Sequence, residues 1–312
     1  YSLCMSAKEQ VKILSTYEFL ARFPDENAAR TYLESRRWAE GRACPHCCSN
    51  NTVAVKGEKP MPYRCQKCRK HFSIRTGTVL AESKIPLHKW LFAIYLMTNA
   101  RKGISSIQLS KELGVTQKTA WFLEHRIREA YGNANDGGLL GPEVEVDETY
   151  IGGKEKNKHA SKKLRAGRGA VGKYAVLGIR EREGRVKAFP ISGTEQIDLQ
   201  SAIVENVKRG STVYTDCHRS YEGIKGFNHE AVKHSVGEYV RGQAHTNGVE
   251  SFWAVLKRGY YGTFHYMSGK HLHRYVNEFS TRHNLGHDTM NCLAVVTDGM
   301  VGRRLTYEGL KK

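Results

Sequence analysis

Two groups of residues in this chain have the types and spacing to do chemistry. The first is a set of cysteines. Cys44/Cys47 and Cys65/Cys68 form two Cys-x-x-Cys pairs with 17 residues between them. Paired thiolates at that spacing suit a tetrahedral ion, and the residues between them suit short strands, so a structural Zn²⁺ is expected. A disulfide framework is the weaker alternative, because the chain is long and keeps isolated cysteines. Cys48 adjoins Cys47 and could take its place. Cys4, Cys217 and Cys292 read as small apolar residues. The second group is acidic. Asp147, Asp216 and Glu250 are separated by 69 and then 34 positions. Carboxylates brought together from such distances bind hard divalent cations through oxygen, which suits Mg²⁺ or Mn²⁺. A pair of such ions can activate water or a 3′-hydroxyl for in-line displacement at a phosphodiester.

A chain of this length holds many acids, so the neighbours of each carboxylate matter. Asn247, Glu250 and Trp253 recur at three-residue steps, and Lys257 follows Glu250 by seven positions. Two helical turns cover about seven residues, which puts Glu250 and Lys257 on one face. A lysine there can meet the phosphate beside the scissile one. Asn247, one turn earlier on that face, is the alternative third ligand or a helper that orients one. Glu148 follows Asp147 in an alternating segment, so it should face the other way and not serve as a ligand.

The elements that must carry these groups are legible as patterns. Val144 to Ile151 alternates apolar and polar residues and reads as a strand ending at Gly152-Gly153. Tyr174 to Arg180, Val186 to Ile191 and Thr212 to Asp216 read as further strands, Leu199 to Val207 and Val249 to Lys257 as helices. Three strands, a helix, a strand and a later helix are the element order of an RNase H-like α/β domain. In that fold the first and fourth strands are neighbours, which would let Asp147 and Asp216 face each other. Upstream, Thr52 to Val55 and Tyr63-Arg64 read as strands joined by a turn at Lys56 to Pro60. Pro86 can open a helix over Leu87 to Asn99. A short helix from Ser105 then ends at Gly114, and Thr116 caps a second running to about Tyr131, the sequence form of a helix-turn-helix. Gln117, Lys118 and Thr119 lie at the end of the second helix that would meet base edges, and Ala120, Leu123 and Ile127 should pack inward. A plain helical hairpin within a core is the alternative. The resulting organisation is an N-terminal helical segment (1–40), a zinc ribbon (41–80), a helix-turn-helix region (81–135), the α/β catalytic domain (140–290) and a C-terminal tail (291–312).

Charge narrows the partner. Across 312 residues, 49 Lys and Arg stand against 31 Asp and Glu, a net of +18. Such an excess repels itself unless a polyanion makes it useful, and nucleic acid is the first candidate. From Lys154 to Lys173 eight basic residues stand against Glu155 alone. Lys162, Lys163 and Arg165 there read as grips on DNA phosphates near the active site, a solvated charge run being the alternative. His271, His273 and His283 read as surface or DNA-facing groups rather than a second metal site. The longest apolar run, Trp90 to Met97, is far short of a membrane span of roughly 18 residues, and no charged-then-apolar leader is seen. A cytoplasmic, DNA-associated protein is therefore expected.

Taken together, Cys44-Pro45-His46-Cys47, Tyr63 to Cys68 with Phe72 and Thr76-Gly77-Thr78, Val146 to Gly153, Tyr214-Thr215-Asp216, His245 through Glu250, Trp253 and Lys257, and His271 to Tyr275 carry a resemblance. From about Phe23 to Asn284 the chain resembles the DDE-type transposases of bacterial insertion sequences with an N-terminal zinc ribbon, a group related to eukaryotic Merlin elements. The resemblance implies an RNase H-like catalytic domain, a Mg²⁺-dependent mechanism, terminal inverted repeats as substrate, and Asp147 and Asp216 as the first two catalytic positions. The third position in this group is Glu or Asn, and Glu250 has the Glu-x6-Lys spacing. It also implies a bacterial protein, with double-stranded DNA, both element ends and target, as partner, and a homodimer or larger assembly to pair two ends. The rivals are a non-catalytic zinc-ribbon regulator derived from such an enzyme and a general RNase H-like nuclease or resolvase.

Overall fold

A computed structural model describes residues 13–134, 137–153, 155–164, 169–182, 184–216, 219–232, 246–286 and 288–311. The strands are β1 (Thr52–Ala54), β2 (Tyr63–Cys65), β3 (His71–Phe72), β4 (Glu143–Ile151), β5 (Tyr174–Glu181), β6 (Val186–Ile191), β7 (Thr212–Asp216) and β8 (Asn228–Val232). The helices are α1 (Thr16–Arg22), α2 (Glu26–Arg37), α3 (Leu87–Asn99), α4 (Ser106–Leu113), α5 (Gln117–Ala134), α6 (Gln196–Asn206), α7 (Asn247–Gly259), α8 (Gly269–Asn284), α9 (Thr289–Gly299) and α10 (Tyr307–Lys311). None of them is long and apolar enough to cross a membrane. The chain divides into two compact units, one built from the residues up to Asn99 together with those from Leu285 onward, the other from Ala100 to Asn284.

The first unit uses both ends of the sequence. Ser15 and Glu18 cap α1 reciprocally, Glu18 N–H donating to Ser15 Oγ at 3.2 Å and Ser15 N–H to the Glu18 carboxylate at 2.8 Å. Asp25 caps α2 by accepting from Ala28 N–H at 2.8 Å. β1, β2 and β3 form a small antiparallel sheet in that order. It carries only Cys44, Cys65 and Phe72 as a buried core, with Trp38 and Tyr63 packed edge-on. α3 is apolar on every side and needs partners all round. It finds them in α1, α2 and α9, whose Cys292, Leu293 and Val296 are buried. The residues read as a C-terminal tail thus hold most of a packed helix, which starts at Thr289. Val301 beyond it bridges to Thr78. The division at Asn99 also separates α3 from α4 and α5, which the sequence pattern had grouped with it.

The second unit opens with α4 and α5. Ser105 caps α4 by accepting from Gln108 N–H at 3.2 Å. Gly114 closes it in the left-handed conformation at φ 62°, and Thr116 Oγ1 accepts from Thr119 N–H at 3.2 Å to start α5. Ala120, Leu123 and Ile127 face inward, as their spacing requires. The sheet that follows has the order β6-β5-β4-β7-β8. β6, β5 and β4 run antiparallel, and β4, β7 and β8 run parallel. One face, with Val144, Val146, Leu177, Ile179 and Val213, packs on Leu199 and Ile203 of α6. The other, with Ile151, Val176 and Ala188, packs on α7 and α8 through Val249, Phe252, Trp253, Leu256, Leu272 and Val276.

Between α5 and α8 runs a chain of buried ions that the hydrophobic pattern does not announce. Arg128 Nε donates to Glu278 at 2.7 Å and its Nη1 to Glu124 at 3.2 Å, while Arg282 lies 3.3 Å from Glu278. All four side chains are buried, and the Arg128 guanidinium stacks 4.1 Å from the Tyr275 ring. Burial pushes the Glu124 carboxyl up to about 7, although Arg128 opposes the change. Removing one member strands the others in a dry interior. Arg128→Ala is therefore expected to cost about 3–5 kcal/mol, read as a fall in the urea midpoint of this unit; a variant as stable as the parent would mean the ions are screened by water.

Candidate active site

β4 presents its odd-numbered residues to α7 and its even-numbered ones to α6, because strand side chains alternate. Asp147 therefore points to α7, and Trp253 of that helix donates its indole N–H to Asp147 Oδ2 at 3.0 Å. The indole has room because Gly178, paired with Asp147 in the sheet, has no side chain; a Cβ there would lie 2.5 Å from Trp253 Cζ2. The parallel register pairs Glu145 with Tyr214. Glu145 and Tyr214 are the last residues of that pairing; Asp147 and Asp216 each lie two residues further along their strands, near enough for the Asp216 charge to be felt at Asp147. Glu250 follows from the first turn of α7, with Thr246 Oγ1–H donating to its carboxylate at 3.0 Å.

The electrostatics record this convergence. Burial, then the negative charges of Glu148, Asp216 and Glu250, push the Asp147 carboxyl up from 3.8 to about 7, against the pull of the Trp253 hydrogen bond. Glu148 lies on the α6 side and accepts from Tyr221 Oη at 2.5 Å. Burial, with Glu148 next, drives the Tyr221 phenol well above its ordinary range. The oxygens of Asp147, Asp216 and Glu250 do not all close to within 4.8 Å of one another; among the described residues only the cysteines do that. An all-oxygen donor set with an elevated carboxyl suits a hard divalent cation. Asn247 and Lys257 are exposed on α7.

In the other unit, Cys44, Cys47, Cys65 and Cys68 bring their Sγ atoms within 4.8 Å of one another. The Cys44–Cys68 and Cys47–Cys65 separations are 3.7 and 3.6 Å. A tetrahedron with Zn–S bonds of 2.3 Å has edges of about 3.8 Å, so the donor set fits zinc in number, chemistry and size. Contacts led by the backbone N–H of Cys68 lower the Cys65 thiol, while, against the Ser49 backbone, burial and the neighbouring thiols raise that of Cys47, so the four sulfurs share protons that a bound metal would displace. Cys48 is exposed and outside the cluster, which resolves the choice between it and Cys47. Cys292 is buried, as a small apolar residue should be.

The remaining sequence candidates fall as follows. Gln117, at the start of α5, is exposed and its amide donates to Ser106 Oγ at 2.8 Å; Lys118 beside it is exposed too. Thr119 is half-buried and shares a 2.8 Å hydroxyl contact with Thr116. Lys163 is exposed. The Lys162 side chain, Arg165, Cys4, Cys217 and His245 lie outside the described residues. His271 is not a surface group: it is buried against His125 and Trp121, with ring centres 4.7 and 5.8 Å away, because α8 packs on α5. Burial lowers its imidazole to about 4, so it is neutral at physiological pH. His273 is exposed. The contributions of Glu145, Gly178 and Tyr221 were not singled out from the sequence. A third acid in the run Glu145-Val146-Asp147-Glu148 was the available signal for the first.

Comparison with known proteins gives the class. Residues 138–284 match the ISXO2-like transposase domain, and residues 24–71 match the transposase zinc-ribbon domain. The class is thus that of a transposase. A protein of the transposable element ISH50 of Halobacterium salinarum is 30% identical over 249 residues, which span 76% of this chain and 83% of that one. A transposase-like protein of Haemophilus influenzae is 29% identical over 102 residues, 32% of this chain and 81% of the other. The chain belongs to the IS1595 transposase family. The Mos1 strand transfer complex matches over 67% of this chain and 78% of that one at 11% identity and a TM-score of 0.27, too loose a likeness to carry an argument.

Proposed function

We propose that this transposase binds the terminal inverted repeats of its element, cleaves a phosphodiester to free a 3′-hydroxyl and joins that hydroxyl to target DNA. The observation that carries this is the gathering of Asp147, Asp216 and Glu250 about one end of β4: burial first, then the charges of Glu148, Asp216 and Glu250, raise the Asp147 carboxyl to about 7. Perturbed acids gathered in one place mark functional sites. The sheet, with three antiparallel strands followed by two parallel ones and Asp147 and Asp216 on its adjacent strands β4 and β7, supports an RNase H-like reading. Asp147, Asp216 and Glu250 would hold Mg²⁺ or Mn²⁺, which when bound activates the attacking oxygen and stabilises the leaving one. Trp253 fixes the Asp147 carboxylate. Asn247 stands one turn from Glu250 to orient it or replace it, and Lys257 takes the phosphate beside the scissile bond.

In the same reading α4 and α5 act as a helix-turn-helix, with Gln117, Lys118 and Thr119 at base edges in the major groove. The zinc ribbon supplies a second hold on the element end. Lys163, with Lys162 and Arg165, grips backbone phosphates of element or target, consistent with the net charge of +18. Two ends must be paired, so the working species is a homodimer or larger, acting on chromosomal DNA in the cytoplasm. The test is a plasmid carrying the element ends, incubated with the zinc-loaded chain and Mg²⁺. Nicks at the ends and joined products are expected from the parent protein. Asp216→Asn should lower both by about 10³-fold or more, the order of effect seen when a group acting in the transition state is lost. Equal activity of the two proteins would leave a zinc-bearing DNA binder without this chemistry.

A further inference from the structure

Resting on that reading of the acidic cluster, we infer that Glu145 is a positioning residue that holds the start of α7, and with it Glu250, in register with Asp147. Glu145 is a buried carboxylate two residues before Asp147 on the same face of β4. Its Oε2 accepts from the backbone N–H of Val249, the third residue of α7, at 2.9 Å. A helix start leaves such N–H groups for a cap to satisfy, and the residue just before the helix normally does so. Here that residue is Thr246, which makes no cap bond; its hydroxyl donates to the Glu250 carboxylate instead. The strand acid has taken over the capping, and the local cap residue is released to hold the candidate ligand.

Two further features belong to this device. Gly248 sits where a Cβ would lie 2.6 Å from Glu145 Oε2 and closer still to Arg180 Nη1, so any side chain there would have to push the Glu145 carboxylate or the Arg180 guanidinium aside. Arg180 is the cross-strand partner of Glu145, and Arg182 Nε lies 3.8 Å from Glu145 Oε1, so the buried carboxylate has cationic neighbours. β4 thus fixes both sides of the cluster: Asp147 by belonging to it, Glu250 through the Glu145–Val249 bond. Since a displacement of about 1 Å can cost 10²-fold in rate, this bond is where precision enters.

The experiment uses the full, zinc-loaded chain and the variants Glu145→Ala, Glu145→Gln, Gly248→Ala and Asp147→Asn. Amide exchange over residues 246–253 and Mn²⁺ affinity by titration are measured alongside Mn²⁺-dependent cleavage. Glu145→Ala and Gly248→Ala should both speed exchange in the first turn of α7 and weaken Mn²⁺ binding by about 10–100-fold, the usual effect of losing a group that orients a ligand. Glu145→Gln keeps an acceptor for Val249 N–H and should stay near the parent in exchange and affinity. Should Glu145→Ala fail to fold, Gly248→Ala perturbs the same contact from the other side. Unchanged exchange and affinity in the two disruptive variants would overturn the inference, and so would Glu145→Gln behaving as badly as Glu145→Ala, since charge and not the bond would then matter. Mn²⁺ binding that Asp147→Asn leaves intact would instead defeat the underlying reading of the cluster, while the exchange data would still decide the role of Glu145.

Discussion

Asp147→Asn is expected to abolish strand cleavage and at the same time to stabilise the folded protein at neutral pH. The first effect follows if Asp147 holds a divalent cation, because a neutral amide is a far weaker ligand for a hard ion. The second follows from the cause of its raised pKa. Burial and the charges of Glu148, Asp216 and Glu250 make the ionised form costly in the folded state only. Between about pH 4 and about pH 7 the folded chain holds more protons than the unfolded one, so stability falls as pH rises through that window. Moving a carboxyl from 3.8 to about 7 corresponds to about 4 kcal/mol at the limit. Local relaxation trims this to about 2 kcal/mol at neutral pH. Urea midpoints of parent and variant, measured from pH 4.5 to 8 in Mg²⁺-free buffer that retains zinc, should diverge toward neutrality. Added Mg²⁺ should restore stability to the parent and do little for the variant. Parallel profiles would mean that burial and the neighbouring charges do not raise the Asp147 carboxyl.

Loss of zinc should have the larger structural effect. The ribbon has strands of three, three and two residues and a buried core of Cys44, Cys65 and Phe72. So small a core cannot offset the entropy of ordering its residues, and the metal must supply the difference; structural zinc contributes about 10 kcal/mol or more in comparable sites. In Cys65→Ser, or after chelation, proteolysis between Arg42 and Lys70 should accelerate by about 100-fold or more. Element-end affinity should fall with it, while exchange protection of β4, β5 and β7 should not change. A ribbon that stays protected without metal would assign its stability to the Trp38, Tyr63 and Phe72 packing alone.

How much of this was legible in the text alone depends on the kind of information each element carries. β6 and β7 begin and end where alternation places them, as α3 does where apolar residues run between Pro86 and Asn99. Local signals of period and punctuation are enough for such elements. β8, Asn228–Val232, escaped notice because Asn-His-Glu-Ala-Val has little strand propensity; parallel pairing with β7 makes it a strand. The buried Glu124, Arg128, Glu278 and Arg282 appear in sequence as ordinary i, i+4 pairs that belong on a wet surface. Only the apposition of α5 and α8 makes them interior, and it takes His271 inside with them. Asp147, Asp216 and Glu250 were legible as candidates because each stands in a strong local context. Glu145 was not, since its task exists only once α7 lies across β4.

One consequence follows from the unit that draws on both ends of the sequence. α3 packs against α9, and Val301 bridges to Thr78. During synthesis, the first 99 residues leave the ribosome long before the segment that completes their core. They must wait, partly unpartnered, while the sheet bearing the acids emerges and folds. A copy of the gene with a premature stop just after Asn284 would encode every carboxylate discussed above and still yield a first unit lacking one of its walls.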